Sequence, residues 1–291
     1  MKWAEVYSMV RVFTNSVCDL TPDQARELGV TVIPDVIAFG PGEQYLNNVE
    51  IDPPALYEKL ARCQELPTTS HPNLDQYMRA FRSAQDAGEI LCITLTSRMS
   101  GSYNTACTAC RLLREQGFQT PVTVWDSLQV SFGLAYLVRT AARLAAGGAD
   151  AASIVSALEA LRPNVGVYFV MESLENARRG GRVGAIRVLA ADLLKVKPIL
   201  VFRDGLVRDI GIVRGFDNAV SRVLELYSQR AEFGGEVYLF HADRPALAQQ
   251  CRERLLQIDP AAHITVSWVG AVIGIYTGAG ALGLAFAQKP Q

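Results

Sequence analysis

The chain has 291 residues, of which 49% are hydrophobic and 20% charged, with a formal net charge of −1. That length exceeds what a single hydrophobic core usually serves, and the composition is that of a folded globular protein, so two domains are expected and disorder is excluded. A near-neutral charge offers no polycationic surface to nucleic acid or to an anionic membrane.

The opening segment, MKWAEVYSMVRVF, is interrupted by Glu5 and Arg11 and has no signal-peptide core. No secretory leader is expected, and the six cysteines are then expected to be reduced thiols of a cytoplasmic protein. VRVFT and VTVIPDVIAF are rich in β-branched residues and bounded by turn formers, which predicts strands. Between them DLTPDQARELG predicts a short helix. Thr21 can cap it, Pro22 suits its first turn, Gln24 completes a capping box and Gly29 ends it. Helical patterns follow at 54–63 and 74–87, then a strand at 89–95 and a helix beginning near Gly101. PVTVWDS predicts another strand and 129–146 another helix. This alternation predicts a parallel sheet covered on both faces, with any ligand beyond the carboxyl ends of its strands.

After Ala149 the pattern changes. A helix over 151–161 leads through Pro163 to VGVYFVM, and PILVF, RDG and LVRDIGIVR together predict a β-hairpin. A helix over 216–230, the strand EVYLFH, the helix RPALAQQCRERLLQ and the strand HITVSWV follow. The expected organisation is an α/β chain with a mainly parallel sheet in residues 1–163 and a mixed sheet with helices in residues 164–291. Residues 264–288 are uncharged, and Gly270, Gly274 and Gly278 have the spacing of packed transmembrane helices. Five glycines, a strand-like start and only Lys289 beyond the end argue instead for a buried strand, a glycine-rich turn and a final strand.

Three motif matches fail on context. GAGALG at 278–283 has the letters of a dinucleotide fingerprint, but the eight residues after it leave no room for the helix and acidic partner that the fingerprint needs. CTAC at 107–110 lies within a helical pattern, where reduced cysteines pack as small apolar residues. His71, His241 and His263 have no metal-ligand spacing, so neither metal nor cofactor is expected. What remains is three turns rich in hydroxyls and glycine. PTTSHP offers Thr68, Thr69 and Ser70; SRMSGSY offers Ser97, Ser100, Gly101 and Ser102; GIYTGAG offers Tyr276 and Thr277. Taken singly, each turn reads first as helix capping. Together, neutral donors at helix starts can hold an anion without a formal positive charge, but spacing alone does not bring the three together.

Seven ordered blocks, nearly end to end, resemble the DegV family of bacterial fatty-acid-binding proteins. TNSVCDL resembles T-D-S-(T/C)-x-D-L, LPTTSHP resembles L-P-T-T-S-Q-P, and SRMSGSYNTA resembles S-S-x-L-S-G-T-Y-x-x-A. VWDS resembles the I-D-S strand end, and SLENARRGGRVG resembles L-E-Y-L-x-K-G-G-R-I-G. LLKVKPILVFRDG and GAVIGIYTGAGALGL resemble L-L-x-I-K-P-I-L-x-x-x-D-G and G-x-V-I-G-x-H-T-G-P-G-A-L-G. The resemblance implies two α/β domains clasping a long-chain fatty acid at their junction. Its carboxylate is expected at Thr69 and Ser100, with Ser70, Gly101 and Tyr276 in the same turns. It also implies a carrier, not an enzyme, that presents the acid to a separate fatty acid kinase for conversion to an acyl phosphate. Arg182 and Arg214 are expected to face that partner or the phosphate. The alternatives are a stand-alone storage or regulatory binder, and a serine hydrolase with Ser100 as nucleophile and His71 as its nearest base.

Departures from the family pattern concentrate near these blocks. Asn15 and Asn47 stand where an Asp is usual, Tyr276 replaces a histidine and Ala279 a proline. A phenol stays neutral near pH 7, so carboxylate affinity is expected to be flat between about pH 6 and pH 8.

Overall fold

The computed structural model describes residues 10–183, 186 and 196–290. The expectation for the first nine residues, and parts of the SLENARRGGRVG and LLKVKPILVFRDG blocks, lie outside the described residues. In chain order the first elements are β1 (Val10–Asn15), a 3-10 turn (Ser16–Cys18), α1 (Pro22–Glu27), β2 (Thr31–Ile33), β3 (Val36–Ala38), β4 (Gln44–Leu46) and α2 (Pro53–Leu60). Next come β5 (Thr68–Ser70), α3 (Leu74–Arg82), β6 (Glu89–Thr94), α4 (Ser102–Glu115), β7 (Val122–Asp126), α5 (Ser131–Ala146) and α6 (Ala151–Leu161). After them come β8 (Val165–Val170), α7 (Glu175–Arg179), β9 (Val196–Arg203), β10 (Leu206–Arg214) and α8 (Phe216–Arg230). The chain closes with β11 (Glu236–His241), α9 (Pro245–Ile258), β12 (His263–Trp268), α10 (Ala271–Thr277) and β13 (Leu282–Ala287).

Strands β2-β1-β6-β7 form an all-parallel sheet. Period-two alternation sorts its faces: Val10, Val12, Leu91 and Ile93 pack with α5 and α6, whereas Phe13, Ile90 and Cys92 pack with α3 and α4. Six strands in the order β10-β9-β8-β13-β11-β12 form a mixed sheet in which only β11 and β12 pair in parallel. Residues of α8 and α9 cover one face of it, through Val220, Val223 and Leu255 against Tyr168, Val201 and Leu239. Helix α5 lies between the two sheets, stacking Phe132 on Phe240 at 5.2 Å while its Leu134 and Val138 join the core shared with β1. Because β8 is covered on both faces, it is buried along its whole length and reads VGVYFV without polar alternation.

Local chemistry sets several elements as expected. Gln24 N donates to Thr21 Oγ1 at 3.2 Å and Thr21 N to Gln24 Oε1 at 3.0 Å, closing the capping box of α1. The β9–β10 hairpin turns on Asp204 and Gly205, with φ of 52° and 75°, the pair of positive values that a type I′ turn requires.

Three expectations need correction. VTVIPDVIAF is not one strand: Pro34 cannot donate to a ladder, so β2 joins the parallel sheet while β3 enters a separate antiparallel sheet, β4-β3-β5. Thr68–Ser70 is not a turn leading into a helix but the strand β5, and Asn73 caps α3 instead. Residues 271–277 are not a glycine-rich turn but helix α10. The four-residue glycine spacing brackets this short helix: Gly270 and Gly278 cap it, and Gly274 within it packs on α2, where a Cβ would lie 2.7 Å from Tyr57 Oη. No helix among the described residues is long and apolar enough to cross a membrane.

Candidate binding cavity

A cavity of about 240 Å³ lies between the parallel sheet and the six-stranded sheet. Each parallel strand contributes a residue that follows its carboxyl end: Val17 after β1, Asp35 after β2, Ser100 after β6 and Ser131 after β7. This is the position that a parallel sheet favours for ligands. The facing wall is apolar, with Val167 and Phe169 of β8, Phe202 of β9 and Phe240 of β11.

The predicted residues Thr69, Ser70, Ser100, Gly101, Tyr276 and Arg182 all line this cavity. Thr69 arrives on β5 and Tyr276 on α10, and their hydroxyl oxygens lie 2.5 Å apart. One hydroxyl hydrogen is used in that bond; the other is left to donate to a third group. Gly101 is the N-cap of α4 and Ser100 precedes it; Ser100 Oγ accepts from the backbone N of Ser102, the first residue of the helix, at 3.2 Å, and accepting leaves its own O–H free to donate. Gly101 is closely approached, since a Cβ there would stand 3.0 Å from the His71 ring. Arg182 lays its guanidinium 5.2 Å from the Tyr276 ring centre and donates to Gly180 O at 2.7 Å. Arg214 is not part of this assembly: it is exposed at the end of β10, opposite Val196, and its carbonyl accepts from Asn218 Nδ2.

His71 also lines the cavity, but its Nε2 lies 3.0 Å from Thr105 Oγ1, and no hydrogen bond joins it to Ser100 among the described residues. Burial holds its imidazole below the ordinary histidine value, so the ring is neutral near pH 7. His241 packs against the Trp268 ring, tilted by 58°, and His263 sits at the start of β12. No group of three or more His, Cys, Asp or Glu among the described residues is arranged to hold a metal ion. Cys107 and Cys110 lie within α4 as expected, and the six cysteines are unpaired.

Two carboxyls were missed by sequence reasoning. Asp35 lines the cavity at 3% exposure, and its Oδ2 accepts from Ser16 Oγ at 2.7 Å. Ser16 Oγ in turn accepts from Asp35 N and from Asn47 Nδ2, both at 2.9 Å. Asp19, 5% exposed, accepts from Ser131 Oγ at 2.5 Å. Desolvation raises both carboxyls to about 7, partly opposed by these hydroxyl donors. The available signal was an acid placed in an otherwise apolar run, VIPDVIAF and SVCDL, since Asp is seldom buried.

The two asparagines that replace acids are both buried donors. Asn15 Nδ2 donates to Tyr77 Oη at 2.6 Å, and Tyr77 Oη lies 2.5 Å from Ser102 Oγ on the first turn of α4. This chain ties the end of β1 to the turn that carries Ser100. An ionised Asp at 15 or 47 would have only oxygens to offer at these contacts.

Residues 9–289 match the sequence model of a family described as "Uncharacterised protein, DegV family". A DegV domain-containing protein of Halalkalibacterium halodurans is 34% identical over 285 residues, covering 95% of this chain and 98% of that one. Among solved structures, DegV from Bacillus subtilis, a fatty acid binding protein, has a TM-score of 0.87 at 28% identity, covering 97% of this chain and 100% of that one. A DegV family protein from Thermus thermophilus, described for its fatty acid binding, has a TM-score of 0.85 at 29% identity, with coverages of 96% and 99%.

Proposed function

The chain belongs to the DegV family, and from that premise we propose that it is a carrier that binds a long-chain fatty acid and presents it to a separate fatty acid kinase. The two halves, residues 1–163 and 164–291, act as jaws around the ligand. The carboxylate is held by Thr69, Ser100 and Tyr276, with Ser70 and Gly101 beside them, and the acyl chain lies along the apolar wall. The observation that supports this reading is the make-up of the cavity, where hydroxyls from three distant segments meet the valine and phenylalanine side chains of β8, β9 and β11.

The physical chemistry is consistent with a carrier. An anion leaves water at high cost unless aimed donors replace its hydration, and the free hydroxyls described above are such donors. Each buried methylene then contributes about 0.8 kcal/mol, so the chain supplies most of the affinity. The carboxylate is bound and not attacked, because the imidazole that a Ser100 nucleophile would need is engaged with Thr105. Arg182, exposed and stacked on Tyr276, is within reach of an incoming phosphoryl group, while Arg214 belongs to a docking surface. The test is direct binding to delipidated protein, followed by acyl-phosphate formation with a cognate kinase. Affinity for straight-chain acids of about 8–10 kcal/mol is expected from burial of most of the chain. No affinity for any of them would overturn the reading.

A further inference from the structure

A second cavity, of about 530 Å³, lies at the end of the six-stranded sheet, and Phe202 is the one described residue that lines both it and the acyl cavity. The β8–β9 ladder stops at the rung Val167↔Phe202. On the other side Phe202 is paired with Val207 of β10, and Val167, Phe202 and Val207 form a row across three strands along the first cavity. Beyond that rung Val165 and Gly166 have no β9 partner, and Arg203 and Asp204 have no β8 partner; these four residues line the second cavity. The two spaces differ in character. The first has a wall of valine and phenylalanine, whereas the second adds Gln129, Arg162 and Gln288 to Arg203 and Asp204. Phe202 itself is 3% exposed.

We propose that Phe202 is the chain-length stop of the acyl cavity, closing it off from the polar cavity and restricting the ligand to acids whose chain ends against its ring. The inference rests on the fatty-acid reading above. A methylene placed against valine and phenylalanine gains the full transfer from water, but one pushed past the ring would meet guanidinium and amide groups and strip water from them. A longer chain therefore gains nothing at its far end while the ring is in place.

Affinities of a series of straight-chain saturated acids, from decanoic to eicosanoic, test this on delipidated parent, Phe202→Leu and Phe202→Ala proteins. The leucine variant keeps the core filled should the alanine variant fail to fold. For the parent, affinity should rise about fourfold per added methylene to a limiting length and then stop rising. The limit should move to longer acids in Phe202→Leu and further in Phe202→Ala. The alanine variant should also discriminate less against a terminal hydroxyl on the longest acids, because its chain end then reaches polar groups. An unchanged limiting length, with all affinities scaled by one factor, would show that the ring only packs the core and would overturn the proposal. A parent that binds no acid of the series would remove the carrier reading and the stop together, a result distinct from an unmoved limit.

Discussion

The hydroxyls of Thr69 and Tyr276 lie 2.5 Å apart, joining β5 to α10 across 207 positions of sequence. One hydrogen of the pair remains available to a bound anion. Tyr276→Phe removes one donor and is expected to weaken acid binding by about 1.5–3 kcal/mol, the range for a hydrogen bond to a charged group. A fatty alcohol or methyl ester should lose far less, and calorimetry on all three ligands separates the cases. Equal losses would make the phenol a space filler.

Ser100 offers a two-part test, because its oxygen accepts from Ser102 N at the start of α4 while its O–H is free. Ser100→Ala should cost about 1 kcal/mol of stability from the lost hydrogen bond to Ser102 N. It should also cost about 1.5–3 kcal/mol of acid affinity, read against the same alcohol control. A change in thermal stability alone would reduce Ser100 to a structural role at the start of α4.

The two arginines should behave differently, since only Arg182 lines the cavity. Arg182→Glu places a carboxylate beside the Tyr276 ring and should weaken acid binding severalfold. Arg214→Glu should leave lipid affinity unchanged while slowing acyl-phosphate formation with a cognate kinase, as exposed charges mainly steer encounter and set register. Loss of lipid binding in the Arg214 variant would assign that residue to the fold.

Asp19 and Asp35 give the chain a pH dependence that Tyr276 alone would not. Their folded values of about 7 stand above the ordinary carboxylate value, so the folded state retains protons that the unfolded chain releases. Their contribution to stability is therefore full below about pH 4 and is lost as pH rises through about 7. An anion in the same cavity favours the protonated Asp35 further, so acid affinity should fall between about pH 6 and pH 8. This replaces the flat profile expected from the phenol. Asp35→Asn should flatten the affinity curve and make the stability curve shallower, leaving the share of Asp19, as followed by Kd and by thermal melts across that range. An unchanged slope in the variant would assign the titration elsewhere.

How much of this was legible depended on the range of the interaction. The capping box of α1, the Asp204–Gly205 hairpin and α8 follow from neighbours a few positions apart, and the sequence reading found them. The split of VTVIPDVIAF between two sheets was hidden because strand membership is decided by partners elsewhere, β1 for one half and β5 for the other. Helix α10 was hidden because Gly270, Gly274 and Gly278 look like a turn until Tyr57 packs on Gly274. The hydroxyl-bearing residues of the site were visible singly, but their convergence needed contacts such as Thr69 with Tyr276. Asp19 and Asp35 escaped notice because only tertiary packing removes their water.

The most direct measurement is mass spectrometry of lipid extracted from the recombinant protein under denaturing conditions. The account predicts one long-chain fatty acid per chain. Protein that carries no acyl ligand, and that takes up none after incubation with long-chain acids, would contradict it.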